Sequence, residues 1–342
     1  MAELIELTPS VRDEISKEKW DVLLESSLGA TVFHSAEWAL ALKASFRDLD
    51  IRYIVIEDQY GRYIAGMPFA HNRSLFVSRY VSMPFGTYGG PLVVQNYEEE
   101  ALDFVVASIQ GVTRSLVPLS FCCVLFNTPP VVERVLNSAF PGGRRARCST
   151  HLIDLTEGFR QLWDSSFDKE TRTCARKAAR NGVKVERDTS EETARILHAL
   201  YRKQAASWGL KRIYPERLIQ EIVDIMKEKA RIWVARLRGV PVCAVLVFCF
   251  RDSVMAWLSG QNADGRRVCA SHLVYSQILK DACENGYNSF NFGASGDLHG
   301  VRQFKESFGA REYHYSIFSS ESTLFRLARK LKGITVTPPQ GT

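Results

Sequence analysis

Residues 287–313 read YNSFNFGASGDLHGVRQFKESFGAREY, and the chain is organised around them. Ser289–Phe290–Asn291–Phe292 alternates polar with aromatic residues, the period of a half-buried strand. Gly293 and Gly296 then break the pattern where φ must be free. A helix over Gly300 to Phe308 follows, with Val301, Phe304 and Phe308 on one buried stripe, and Gly309 stands just past its end. Lys305 lies one step off that stripe. A cation beside an apolar face, near the C-terminal ends of strands, is partly desolvated and available to a developing negative charge. The plainer alternative is an amphipathic helix whose lysine complements the dipole near its C-terminus.

The chain has 342 residues, enough for two domains that each bury a core. Hydrophobic residues make up 46% and charged residues 24%, the balance of a soluble globular protein, and no apolar run reaches the roughly 18 residues that span a bilayer. The N-terminal stretch MAELIELTPSVRDEISKEKW has no apolar core for secretion, so a cytoplasmic location is expected. Eight cysteines show no C-x-x-C pair and seven histidines are scattered, so neither a disulfide framework nor a metal is expected.

Net charge is +6, and its distribution matters more than its sum. Arg144, Arg145 and Arg147 precede Lys169, Arg172, Arg176, Lys177, Arg180, Lys184 and Arg187, with only Glu170 and Glu186 opposing them between 169 and 187. Such a concentration suits a polyanion, whether phosphate, nucleic acid or anionic lipid, or else a solvated helix face. Arg172, Arg176 and Arg180 recur every four residues and line one face of a helix, with Lys177 flanking it.

Several local patterns recur in order. An amphipathic helix is expected over 10–27, and a second over Ala36 to Ser45 capped by Ser35. Tyr53–Glu57 and Tyr63–Ala70 form a hairpin around Gly61, and Ile232–Arg236 with Val242–Phe250 restates it around Gly239. Between these lie a helix over Glu98 to Leu116, a strand over Phe121 to Phe126 and a new strand at His151 to Leu155. The loop Val81–Pro91 holds Phe85, Tyr88, Gly89 and Gly90. The glycines permit close backbone approach to a ligand and the aromatics offer walls, or the loop is a buried crossover that needs glycine for packing.

Four segments together resemble the FemAB-like acyltransferases. They are the strand, G-x-S loop and R-Q-F-K-x-x-F-G-A of the C-terminal stretch; S-x-P-F-x-x-Y-G-G-P at 82–91; K-x-x-R-x-x-x-R-K-A-x-x-x-G-V at 169–183; and the loop with Trp208, Tyr214 and Pro215. The resemblance implies an α+β protein of two tandem GNAT-like domains, each a mixed, mostly antiparallel sheet flanked by helices. The domains are placed at 1–150 and 151–320, with the active site in the second. A basic helix and tail at 321–342 packs back on the first, or makes weak contact with the inner membrane face, and 333–342 is expected to be disordered.

By the same resemblance the activity is acyl or aminoacyl transfer onto an amine of a cell-envelope or polysaccharide precursor, with no permanently bound cofactor. The donor co-substrate is aminoacyl-tRNA or acyl-CoA, and no metal takes part. Lys305 takes the place of the tyrosine in the Y-x-x-L-G-F ending of single-domain GNAT enzymes and is the catalytic candidate. Phe304, Arg172, Arg176, Lys177, Tyr88, Gly89 and Gly90 are the substrate-binding set, with Phe304 holding its helix in place. Where CoA-using relatives carry R/Q-x-x-G-x-G/A, Arg266 fits the first position but Cys269 and Ser271 replace the small residues. Arg266, Arg267 and Ser271 remain as phosphate contacts, with Ser271 capping the next helix. A rival from another class is a non-catalytic GNAT-fold module that binds RNA or anionic envelope polymers.

Overall fold

The computed structural model describes residues 6–332 except 75–76, 86, 96, 114–118, 210–212 and 297. Gly86 and the tail 333–342 therefore lie outside the described residues. The chain divides into two compact units, one of Met1–Cys148 with His314–Gly341 and one of Ser149–Tyr313. The architecture is α+β, with mixed sheets flanked by helices.

The first unit runs β1 (Leu7–Arg12), α1 (Lys17–Ser26), α2 (Ala36–Ser45), β2 (Asp50–Asp58), β3 (Tyr63–Ser74), β4 (Val77–Val81), β5 (Leu92–Val93), α3 (Glu98–Thr113), β6 (Leu119–Leu125) and α4 (Pro130–Ala139). The helix expected over 10–27 is thus a strand and a shorter helix. Leu7 to Arg12 pair antiparallel with Asp58 to Tyr53, and Ser16 starts α1 by accepting from the Lys19 N–H. The first hairpin is β2–β3, turning at Gly61 with φ +70°. Its core gathers Ile54, Ile56, Met67, Phe69, Val105, Phe121, Leu136 and Phe318.

β7 (Arg144–Asp154) carries the chain into the second unit. It starts earlier than the strand expected at 151, directly after Gly142–Gly143. Next come α5 (Gly158–Gln161), a π-helical turn (Leu162–Ser166), α6 (Lys169–Arg180), β8 (Val183–Arg187), α7 (Glu191–Ser207), α8 (Glu216–Met226), β9 (Ala230–Leu237), β10 (Val240–Phe250) and β11 (Ser253–Gln261). α9 (Ala263–Arg267), α10 (Ala270–Glu284), β12 (Ser289–Ala294), α11 (His299–Glu306) and β13 (Arg311–Glu321) complete the unit and leave it.

Within the second unit the strand order is β7-β12-β11-β10-β9-β8. β9–β10 is the second hairpin, turning at Arg238 and Gly239 with φ of +52° and +81°, the pair of left-handed residues a type I′ turn needs. β11 and β12 are parallel. Phe167, Ala178, Val245, Val274, Ile278, Phe290, Phe292 and Phe308 share one core.

The residues of β13 from His314 onward group with the first unit, where Ser316 to Glu321 pair antiparallel with Leu125 to Ser120 of β6. Sequence order had kept residues up to 320 with the second domain. The ladder of backbone hydrogen bonds to β6 decides otherwise, because an edge strand goes where its N–H and C=O groups find partners. α12 (Thr323–Lys332) follows, with Phe325 buried and Ser322 accepting from the Phe325 N–H. No helix among the described residues is long and apolar enough to cross a membrane.

Candidate active site

β12 is buried along its middle, Asn291 included, because it is an interior strand covered on both faces. Its pairing with β11 runs from Ser253–Ser289 to Met255–Asn291 and then stops, so the two strands part beyond Asn291. On its other edge the register with β7 shifts between Asn291 and Ala294, a bulge centred on Gly293 with φ +77°. Asn291 Oδ1 pins the bulge by accepting from the Gly293 N–H at 2.8 Å and the Thr150 hydroxyl at 2.6 Å.

The bulge supplies two carbonyls that have left the ladder, and Lys305 takes both. Its Nζ donates to Gly293 O at 2.6 Å and to Ala294 O at 2.8 Å. α11 is shorter than read from sequence, His299–Glu306, and Lys305 is its buried residue at 5% exposure, deeper than Phe304. Phe304 instead braces the helix, edge-on to His272, Tyr275 and Phe308. Gly309, at φ +86°, follows where an added Cβ would lie 2.7 Å from Ser166 Cβ.

With no carboxylate partner among the described residues, burial pulls the Lys305 pKa from its ordinary value near 10.5 down to about 7. The amine therefore exchanges its proton at neutral pH. As an ammonium it has one N–H beyond the two given to carbonyls.

His151 stands beside this lysine on β7 and was not singled out by sequence. It is 1% exposed, and among the described residues neither ring nitrogen has a hydrogen-bond partner. Its Nε2 lies 3.5 Å from Glu306 Oε1, beyond good hydrogen-bond length. Burial, helped by the Lys305 charge and opposed by Glu306, holds its pKa below the ordinary value, so the imidazole is neutral at pH 7. Ser295, in the loop after the bulge, also has a buried Oγ without a partner among the described residues. Buried polar atoms are satisfied nine times in ten, so the unpaired ring nitrogens of His151 beside a buried lysine make this place a candidate site for a ligand's polar atoms.

The other sequence candidates divide. Arg172 is committed to the protein: one guanidinium nitrogen donates to the carbonyls of Trp163 at 3.0 Å, Asp164 at 3.2 Å and Phe167 at 2.5 Å, closing the π-helical turn. That nitrogen caps the π-helical turn, a structural role beside the phosphate contact read from sequence. Arg176 and Lys177 are exposed, with the Arg176 guanidinium 5.4 Å from the Trp163 ring centre. Arg176 also edges a groove of about 720 Å³ whose walls include Phe159, Trp163, Leu273, Arg160 and Lys280.

Tyr88, Gly89 and Gly90 lie in the first unit. Tyr88 is buried, stacked on Phe126 and edge-on to Tyr315. An added Cβ would meet Met83 at 3.0 Å from Gly89 and Leu125 Cδ2 at 2.8 Å from Gly90. The glycines admit neighbouring side chains, so packing accounts for them where a ligand had been expected.

At the α9–α10 turn, Arg267 pairs with Asp264 at 2.9 Å and Arg266 reaches Gln261 O at 3.4 Å. The N-cap of α10 is Cys269, in the left-handed region at φ 60°, with no side-chain cap bond. Ser271 falls inside the first turn, so its expected capping role is not realised.

The fold has known counterparts. Residues 165–306 match the family described as an acetyltransferase (GNAT) domain. No curated protein matches the sequence. Among solved structures, FemX superposes over 95% of this chain and 99% of its own at 12% identity with a TM-score of 0.72. The C-terminal domain of a putative lysylphosphatidylglycerol synthetase from Agrobacterium fabrum covers 95% and 98% at 15% identity and 0.58. A tandem GNAT protein from the clavulanic acid biosynthesis pathway covers 93% and 98% at 12% and 0.54. The second half thus matches a GNAT domain, and the chain as a whole has the fold of a tandem GNAT protein. Its fold is FemX-like over nearly its whole length.

Proposed function

We propose that the chain transfers an acyl or aminoacyl group from an activated ester or thioester to an amine, forming an amide on a cell-envelope or polysaccharide precursor. The observation that supports this most is Lys305, buried against two bulge carbonyls, with His151 beside it whose ring nitrogens have no hydrogen-bond partner among the described residues. In the proposed reaction a neutral amine attacks the donor carbonyl, His151 accepts the amine's proton, and the Lys305 ammonium steadies the oxyanion and gives its proton to the departing oxygen or sulfur. A lysine near pKa 7 suits this task, since a group at its ordinary value would hold its proton too tightly to release it.

The donor carries phosphate, as aminoacyl-tRNA or acyl-CoA does, and Arg176, at the edge of an apolar groove, and the adjacent Lys177 supply exposed cations. The FemX and lysylphosphatidylglycerol synthetase likenesses favour an aminoacyl donor and an envelope acceptor. The test offers the purified protein labelled aminoacyl-tRNA and acetyl-CoA in parallel, each with amine-bearing peptidoglycan, lipid and polysaccharide precursors, and follows amide formation. Donor binding without turnover for any acceptor would replace this reading with that of a binding module.

A further inference from the structure

Cys174 on α6 and Cys269 at the head of α10 are far apart in sequence, yet their sulfurs lie 3.2 Å apart as free thiols. An imidazole nitrogen of His272 completes the group, with all three ligand atoms within 4.8 Å of one another and each residue part-exposed. We propose that Cys174, Cys269 and His272 bind a borderline-soft divalent metal ion, zinc in the first instance, that ties α6 to the first turn of α10.

The chemistry of the donors matches. Two thiolates and one imidazole are the ligands zinc prefers, and three protein ligands leave a fourth position for water or an anion. Ligand atoms around a tetrahedral zinc sit about 3.5 Å from one another, which this cluster meets with side-chain shifts of about an ångström. Cys269 holds a left-handed backbone that glycine would adopt at less cost, and there its thiol lies in hydrogen-bonding contact with the Cys174 sulfur.

Histidine separates this reading from a redox pair. A disulfide would need only the two sulfurs, whereas His272 Nδ1 is buried without a hydrogen-bond partner among the described residues. A metal gives the imidazole a role. The spacing Cys269-x-x-His272 is in the sequence, but the second thiol comes from another helix.

Cobalt(II) added to the reduced, metal-free protein tests the proposal, since tetrahedral thiolate coordination gives an intense near-ultraviolet charge-transfer band. The expected result is a band saturating at one equivalent, bleached by zinc, with zinc raising the melting temperature. Cys174→Ser and Cys269→Ser should each lose the band and the zinc-dependent shift, and His272→Gln should weaken both, with far-ultraviolet circular dichroism confirming that each variant is folded. Absence of the band in the unaltered protein would overturn the proposal, as would its persistence in the folded double serine variant. So would quantitative Cys174–Cys269 disulfide formation with peroxide in a protein that shows no cobalt band.

Discussion

Lys305 is buried with two carbonyl oxygens and, among the described residues, no carboxylate, and this sets how stability should respond to pH. Its pKa is about 7 in the fold and near 10.4 in the unfolded chain, so below pH 7 both states are protonated and unfolding takes up no proton at this site. Between those values the unfolded chain binds the proton and the folded one does not, so the lysine's contribution to stability rises with pH there, by at most about 1.4 kcal/mol per pH unit. Urea unfolding of the native protein and of Lys305→Met from about pH 6 to about pH 9 should give curves that are parallel below neutrality and diverge above it, the native protein gaining. Curves parallel throughout would mean that the amine is not titrating in this window. In the proposed reaction the neighbouring imidazole has the complementary role. His151→Gln, which keeps a polar side chain but no base, should cut turnover by about 100-fold, with donor affinity unchanged. An active His151→Gln would move proton acceptance to another group.

α6 carries two kinds of arginine, and they should separate on substitution. Arg172→Ala frees three carbonyls of the π-helical turn and should lower stability by about 1–3 kcal/mol in urea unfolding. Reversing Arg176 and Lys177 to glutamate should leave stability nearly unchanged, weaken polyanion binding and flatten its dependence on salt, since fewer counterions are released. Equal affinity at every salt concentration would return that face to the solvent. Gly309→Ala should cost more than about 1 kcal/mol, since it combines positive φ with contact against Ser166. Much at this scale was legible: the strand, loop and helix of 287–313 show in local periodicity, and both hairpins show in their glycine turns. The inward face of α11 was not. A helix of two turns is oriented by what stands opposite, here the carbonyls of the β12 bulge, so Lys305 is buried more deeply than Phe304. His151 gave no signal because an isolated histidine in a strand pattern acquires meaning only from the distant residues the fold sets beside it. The arginine spacing of α6 was visible, but periodicity does not say which guanidinium spends its hydrogen bonds on the backbone.

The chain as a whole repeats one fold, with the repeat read from hairpins that share order more than identity. The register of β13 was beyond that reading, since which strand edge takes a segment depends on pairings made elsewhere. A chain ending at Tyr313 should lose the β13–β6 ladder and leave an unpaired edge on the first unit, seen as faster amide hydrogen exchange in β6 and a tendency to aggregate. The central claim, that Lys305 and His151 drive amide formation as acid and base, is tested most directly by the pH dependence of single-turnover amide formation at saturating donor. A bell is expected, with an acid limb below the ordinary histidine value and an alkaline limb near pH 7 from Lys305. Lys305→Met should lower the plateau by about 100-fold or more and remove the alkaline limb, while Lys305→Arg restores only part of the rate. A Lys305→Met protein that keeps the native rate and the native bell would contradict the account.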